Sequence, residues 1–365
     1  MESAHTAPLS DCADGKPSGY VLPMRLAFSL PVHERPDAVL DTIRNVLHFN
    51  PGSIVILHLS QQSTVLDELA RQCPPQVLIN PTRYRTFGGG GLFLVHSSNY
   101  RHLQAQNIEF DAFCLLSSND MFVRGGLERY AAEVRNGFQA VRLDPAEDWH
   151  VFRIVAHHPK TPELLQACGG SVVYGGQTEG QFYERALFGK MADIYFAVYG
   201  EEERPGFETE EIVPQTVAMS LGVAPHLPFT LVDYSHRAFE VDLRAIALLS
   251  DPARVGAVRL NLGARYPDML RSPHVHGTND FVFAVKRIPR DPSHPLRMAI
   301  RDVEKTAPPA NPGPPGPAKR TVSLVPFWKY QALISRYILL CQRLGLPVEF
   351  RTGVRSFLRK IFKRR

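Results

Sequence analysis

The chain reads as an α/β domain, with a mostly parallel central sheet covered by helices on both faces. Three observations predict this. Apolar runs of strand length alternate with stretches of helical periodicity through the first third of the chain, a β-α-β-α-β order. The strand-like runs are apolar almost throughout, as strands buried on both faces are. One of them, residues 110–116 (FDAFCLL), stops in Ser117-Ser118-Asn119-Asp120. A strand that ends in small polar residues and an acid marks the rim of a ligand crevice, because open α/β sheets bind ligands outside the carboxyl ends of their strands.

The elements follow in order. Residues 24–32 (MRLAFSLPV) form a first strand that runs into His33-Glu34-Arg35-Pro36. Residues 36–49 form a helix, with Val39, Leu40, Ile43, Val46 and Leu47 on one face. Pro51-Gly52 turns the chain into a second strand, residues 53–59 (SIVILHL). A helix over 63–71, the break Pro74-Pro75 and a short strand over 76–79 come next. The glycines 88–91 introduce a helix over 92–105, and the strand 110–116 is followed by a helix over 125–136. Residues 137–175 are mixed, with a short strand at 171–174 framed by glycine pairs. Residues 179–191 read as a turn into a helix. The acids at 201–203 and 208–211 precede a helix over 212–221, and 225–290 hold shorter strands and a helix near 241–249. Residues 307–319 contain six prolines and two glycines, the composition of a linker that is partly polyproline II.

The 365 residues are 44% hydrophobic and 21% charged, enough apolar surface for a sizeable core. The net charge is +5, but residues 351–365 alone hold seven Arg or Lys and no acid. The remainder is near neutral, which excludes a general nucleic-acid binder. Cys12, Cys73, Cys114, Cys168 and Cys341 are scattered and form no CxxC, the usage of a reducing compartment. Residues 1–23 are polar, lack an apolar segment of signal-peptide type and read as a disordered arm. No apolar run is long enough to span a membrane.

Several groups carry potential chemistry. Gly88 to Gly91 fit neither GxGxxG nor GxxxxGK[ST]; they form either a plain turn or a backbone cradle facing a phosphate or sugar at a helix start. Glu208, Glu210, Glu211, Asp120 and Glu179 are candidates for a general base; the glutamate cluster is otherwise a solvated surface or a helix N-terminal acid. His157-His158 and His274-x-His276 lack a partner set with metal-ligand spacing, and no Asp-x-Asp is present to hold a divalent cation under a diphosphate. Lys286, Arg287, Arg265 and Arg271 are basic residues able to neutralise a diphosphate, or else surface charges.

Six segments, taken in order over about residues 25–290, resemble the core-2/I-branching β-1,6-N-acetylglucosaminyltransferase and peptide xylosyltransferase family. They are 26–47 (LAFSLPVHERPDAVLDTIRNVL), 87–95 (FGGGGLFLV), 115–122 (LLSSNDMF), 179–185 (EGQFYER), 210–216 (EEIVPQT) and 283–286 (FAVK). The resemblance implies a GT-A type, Rossmann-like α/β/α sandwich. It implies inverting, metal-independent transfer of a GlcNAc- or xylose-like sugar from a nucleotide donor, UDP-linked, to a hydroxyl of a glycan or other acceptor. Glu211 falls on the family's catalytic base and Lys286 on the lysine that meets the diphosphate. His33, Gly89, Gly90 and Asp120 fall in donor-binding segments, Arg265 or Arg271 would supply the assisting arginine, and Glu179 and Tyr183 fall in the acceptor segment. Three departures stand out: Ser60 replaces the acid that ends the family's second strand, Val285 replaces an arginine, and Phe122 replaces a proline.

The expected organisation is an arm over 1–23, the transferase domain over 24–305, a linker over 306–320 and a tail over 321–365. Val354, Phe357, Leu358, Ile361 and Phe362 share one helical face of the tail, with basic residues around it. Such a segment suits an anionic membrane surface, or else packs on the body or stays solvated. The expected location is therefore cytoplasmic, at the inner face of the membrane if the tail docks. Two other functions fit: a GT-A transferase of another family with a different donor, and a non-catalytic binder of glycans or nucleotide sugars.

Overall fold

In the computed structural model, the described residues are 23–33, 35–85, 91–143, 150–201, 205–231, 241, 243–251 and 282–306. The elements run β1 (Leu26–Val32), α1 (Pro36–Phe49), β2 (Ile54–Leu59), α2 (Leu66–Gln72), β3 (Val77–Ile79), α3 (Leu92–Ala105) and β4 (Ala112–Leu115). Then come β5 (Met121–Phe122), α4 (Leu127–Val134), β6 (Val141–Arg142), α5 (His150–Val155), α6 (Lys160–Cys168), β7 (Tyr174–Gly175), β8 (Phe182–Glu184) and α7 (Arg185–Tyr199). The last are α8 (Val213–Ser220), β9 (Thr230–Leu231), α9 (Leu243–Leu249), β10 (Ala284–Val285) and α10 (Pro295–Thr306).

The main sheet has the order β3-β2-β1-β4-β8. β1 pairs in parallel with β2 on one side and β4 on the other, and β3 extends the sheet beyond β2. Only β8 in this sheet is antiparallel, on β4. Every residue of β1 and β2 is buried, because helices cover both faces. Leu26, Phe28, Leu30 and Val32 pack with α1, α4, α9 and α10 on one face, while Ala27, Ile54 and Ile56 pack with α3, α5, α6, α7 and α8 on the other. This is the α/β/α sandwich that the sequence predicts.

Local chemistry explains the helices that flank the site. α1 starts with Pro36, whose fixed φ suits a first helical position, and carries Asp37 in its first turn, where an acid meets the positive end of the helix. Its buried face joins Val39, Ile43 and Val46. Asn45, also buried, accepts from the Phe122 N–H at 2.6 Å and donates to the Phe122 carbonyl at 2.9 Å, so α1 grips β5 directly. α3 is entered through Gly91 and buries Phe93, Leu94 and Val95.

A second sheet has the order β5-β10-β9. β10 is antiparallel to β5 and parallel to β9. Each of these strands has two residues, yet together they join three distant parts of the chain.

The predicted and observed elements differ in places. The turn-into-helix over 179–191 is instead a strand, β8, followed by α7 from Arg185, because Phe182 to Glu184 find ladder partners on β4. The strand at 171–174 shrinks to Tyr174–Gly175. The mixed region holds α5 and α6, and α10 lies where no helix is expected. The arm up to residue 22, Gly89, Gly90, Arg265, Arg271, the linker from 307 and the basic tail lie outside the described residues. No helix among the described residues is long and apolar enough to cross a membrane.

Candidate active site

The chain lays down β1, β2 and β3 in one direction and then places β4 on the opposite side of β1. The carboxyl ends of β1 and β4 therefore lie side by side, at the edge where open α/β sheets bind ligands. β1 delivers His33 to this edge and β4 delivers residues 117–120.

Asp120 forms the floor. It is fully buried just before β5. Its Oδ2 accepts from the Ser117 N–H at 3.1 Å, and its Oδ1 has no hydrogen-bond partner. The β5–β10 register pairs Met121 with Val285, so one step further sets Lys286 opposite Asp120. The β4–β8 register pairs Cys114 with Phe182; beyond it Leu115 bonds both Gln181 and Gly180, which brings Glu179 to the carboxyl end of β4. Lys286 Nζ forms an ion pair with Glu179 Oε1 across 107 residues of sequence.

Glu210 and Glu211 arrive from a third direction, in a 3-10 turn over Thr209–Glu211 that leads into α8. The turn is docked by the Gly176 N–H donating to the Glu211 carbonyl at 2.9 Å. Gln215 Nε2 reinforces it by donating to the carbonyls of Gly176 and Glu210. Glu210 is buried, and its Oε2 lacks a partner.

Electrostatics bind these groups into one unit. Burial pushes Asp120 up to about 8, the nearby Glu179 adds to the rise, and Lys286 opposes it. Burial likewise pushes Glu210 up to about 8, with Glu208 and Glu179 adding repulsion. Glu211 rises to about 9 through burial and then through Glu210, Glu179 and Glu208, against Lys286. All three are therefore raised well above the ordinary carboxylate range. Together they can exchange a proton with a bound hydroxyl, and Lys286 supplies the positive charge beside them. Among the described residues, no three His, Cys, Asp or Glu side chains are arranged to hold a metal ion.

The expected residues divide accordingly. Asp120, Glu179, Glu211 and Lys286 come together. His33 lies at the carboxyl end of β1, where it lines a cleft of about 560 Å³ with Arg35, Ala38, Arg290 and Asp291. Tyr183 is a correction to the expected acceptor set. Its β8 position turns the ring into the core beside Phe138 and Phe188, it is fully buried, and its hydroxyl donates to Gln181 Oε1, so it cannot reach an acceptor.

Other site residues were missed by the sequence reading. Arg290 comes only four residues after Lys286, and no periodicity marks it. His58, fully buried in β2, accepts from the Tyr84 N–H at 2.9 Å through Nε2 and stacks on the Tyr84 ring. Burial lowers it to about 4, with the charge of His33 acting in the same direction. His96 on α3 is held neutral, at about 3, by burial and then by His58; its Nδ1 lies 2.7 Å from Ser29 Oγ. At the end of β2, where Ser60 replaces an acid, Arg83 donates to the carbonyls of Ser60 and Ser63 at 2.7 Å each.

No family model matches the chain, and no curated protein matches it in sequence. Solved structures overlap it partially. A 4-diphosphocytidyl-2C-methyl-D-erythritol synthase is 14% identical, covers 62% of this chain and 98% of its own, and has a TM-score of 0.35. S. aureus TarS is 11% identical over 54% of this chain and 33% of its own, with a TM-score of 0.31. S. aureus TarS 1–349 in complex with UDP-GlcNAc is 10% identical over 45% of this chain and 46% of its own, with a TM-score of 0.27.

Proposed function

We propose that the chain is a GT-A type, inverting glycosyltransferase that moves a sugar from a nucleotide donor to an acceptor hydroxyl without a metal ion. One observation carries the reading: Asp120, Glu179, the Glu210–Glu211 pair and Lys286 converge from four distant segments at the carboxyl ends of β1 and β4. In the reaction, ionised Glu211 takes the proton of the acceptor hydroxyl. The acceptor oxygen bonds to the anomeric carbon as the bond from that carbon to the diphosphate oxygen breaks. The nucleoside diphosphate leaves with the electron pair, and Lys286 neutralises its charge, a task that falls to a metal ion where one is bound.

Donor binding by thermal shift and transfer by product analysis, over a panel of UDP-sugars with and without EDTA, test this. The expected result is an EDTA-insensitive shift and transfer that is lost in Glu211→Gln. EDTA-sensitive donor binding, or full transfer by Glu211→Gln, would overturn the mechanism. One departure favours a second reading, a non-catalytic nucleotide-sugar binder: Ser60 supplies no acid at the end of β2, and its carbonyl is taken by Arg83. Donor binding without hydrolysis or transfer would select it.

A further inference from the structure

Resting on that reading, we propose that Glu179 is a positioning residue for Lys286. It holds the ammonium before the donor arrives and releases it to the donor diphosphate, and the carboxyl groups left behind take up a proton.

The backbones of both partners are fixed. Gly180, next to Glu179, donates its N–H to the Leu115 carbonyl at 3.0 Å and accepts from the Phe229 N–H at 2.9 Å. Its φ is +76°, and any Cβ there would collide with the Thr230 backbone. Glu179 is thus tied to both sheets at once. On the other side, Lys286 follows β10, Arg287 turns the chain with a φ of +67°, and the Ile288 N–H donates to the Asn119 carbonyl at 3.0 Å. Two clamped backbones leave only the side chains to move.

Both side chains are partly open to solvent. Those of Lys286 and Glu179 are 16% and 19% exposed, whereas Asp120 is sealed. Glu179 is held through Oε1 alone; its Oε2 has no partner. An incoming diphosphate offers Lys286 more negative charge than one carboxylate does. Glu179 acts on Asp120 before β5 and on Glu210 and Glu211 in the 3-10 turn; Lys286 opposes it at all three, Arg287 also faces Asp120, and Glu208 also faces Glu210 and Glu211. Once Lys286 turns to the diphosphate, Asp120, Glu210 and Glu211 lose the opposing charge of Lys286 and gain an anion. Both changes favour protonation.

The test is calorimetric titration of the full chain with UDP-GlcNAc at about pH 8, in HEPES and in Tris. The diphosphate of this probe is a diester and does not titrate there, so a buffer-dependent heat reports protons taken up by the protein. The expected result is net uptake in the wild type. Glu179→Gln should lose most of that uptake and bind the donor several-fold more tightly, with a lower donor KM and an acceptor KM unchanged. Binding without uptake, uptake that survives Glu179→Gln, or a raised acceptor KM with unaltered donor affinity would each overturn the proposal. No binding at all would instead remove the functional reading on which it rests. Glu179→Asp, which keeps the charge, should retain the uptake.

Discussion

Arg297 donates through Nη1 to Asp41 Oδ2 at 2.7 Å, with both side chains buried. The same guanidinium donates through Nε to the Pro289 carbonyl at 2.6 Å. One residue of α10 therefore fixes α1 and the segment between Lys286 and α10. Arg301 and Arg44 also reach Asp41.

Replacing Arg297 leaves part of this buried charge uncompensated. Loss of one partner of a buried pair costs about 3–5 kcal/mol. Arg297→Met should lower stability by that order in urea unfolding and weaken donor binding more than Arg301→Met does, since Arg301 is partly exposed. Burial alone would raise Asp41, but the hydrogen bonds from Arg301 and Arg297 outweigh it and hold Asp41 below 3.8. Its share of stability is present above the unfolded carboxylate value of about 3.9 and is lost as the pH falls through the lower folded value. The variant should show a weaker dependence in that acid range.

Transfer should speed up with pH. Glu211 is effective as a base only when ionised, and its proton leaves at about 9. The pH profile of kcat/KM should rise through neutrality toward that value. A profile already flat from about pH 6 would show that another group is the base.

Glu210 runs the opposite way for stability. Its folded value of about 8 lies above the ordinary glutamate value of 4.5, so the folded chain holds a proton that the unfolded chain gives up. Its contribution is complete below about 4.5 and is lost as the pH rises through about 8. Thermal unfolding should therefore weaken from about pH 5 to about pH 8 by a few kcal/mol. Glu210→Gln should flatten that slope and raise Tm at about pH 8.

Gly180→Ala should be severe. A methyl group would meet the Thr230 backbone, which cannot yield as a side-chain tip can, on a residue with positive φ. Strain and overpacking together suggest a loss of about 3 kcal/mol. Gly222→Ala has comparable φ but open space, so it should cost only about 1–2 kcal/mol. Comparing the two by denaturant unfolding separates collision from backbone strain.

The four parallel strands of the main sheet were legible because they are apolar runs bounded by turns, whereas the three-residue β8 was read as a turn into a helix. Helices α1 and α3 form over the predicted residues, and Gly91, last of the glycine run, sits at the entry to α3. α10 was not legible, since Leu296, Met298, Ala299, Ile300 and Val303 are interleaved with charges. α6 was hidden by Pro162 within its first turn. Candidate acids and Lys286 could be singled out by their likeness to family segments. Their convergence could not, because it depends on strands of two residues, too short to leave a period in the sequence. Tyr183 lies four residues after Glu179, yet its place in β8, covered on both faces, puts its ring in the core.

The small sheet has a consequence in time. β5, β9 and β10 meet only when residues near 121, 230 and 284 have all been made. A ribosome will have released all five strands of the main sheet about a hundred residues before Lys286 emerges. Pairings that close such long loops form late, after local structure. A chain interrupted in between would carry the acids of the crevice without their cation. The enzyme proposed here would thus gain its cation only after its main sheet is complete, with the catalytic centre closing after the framework that holds it.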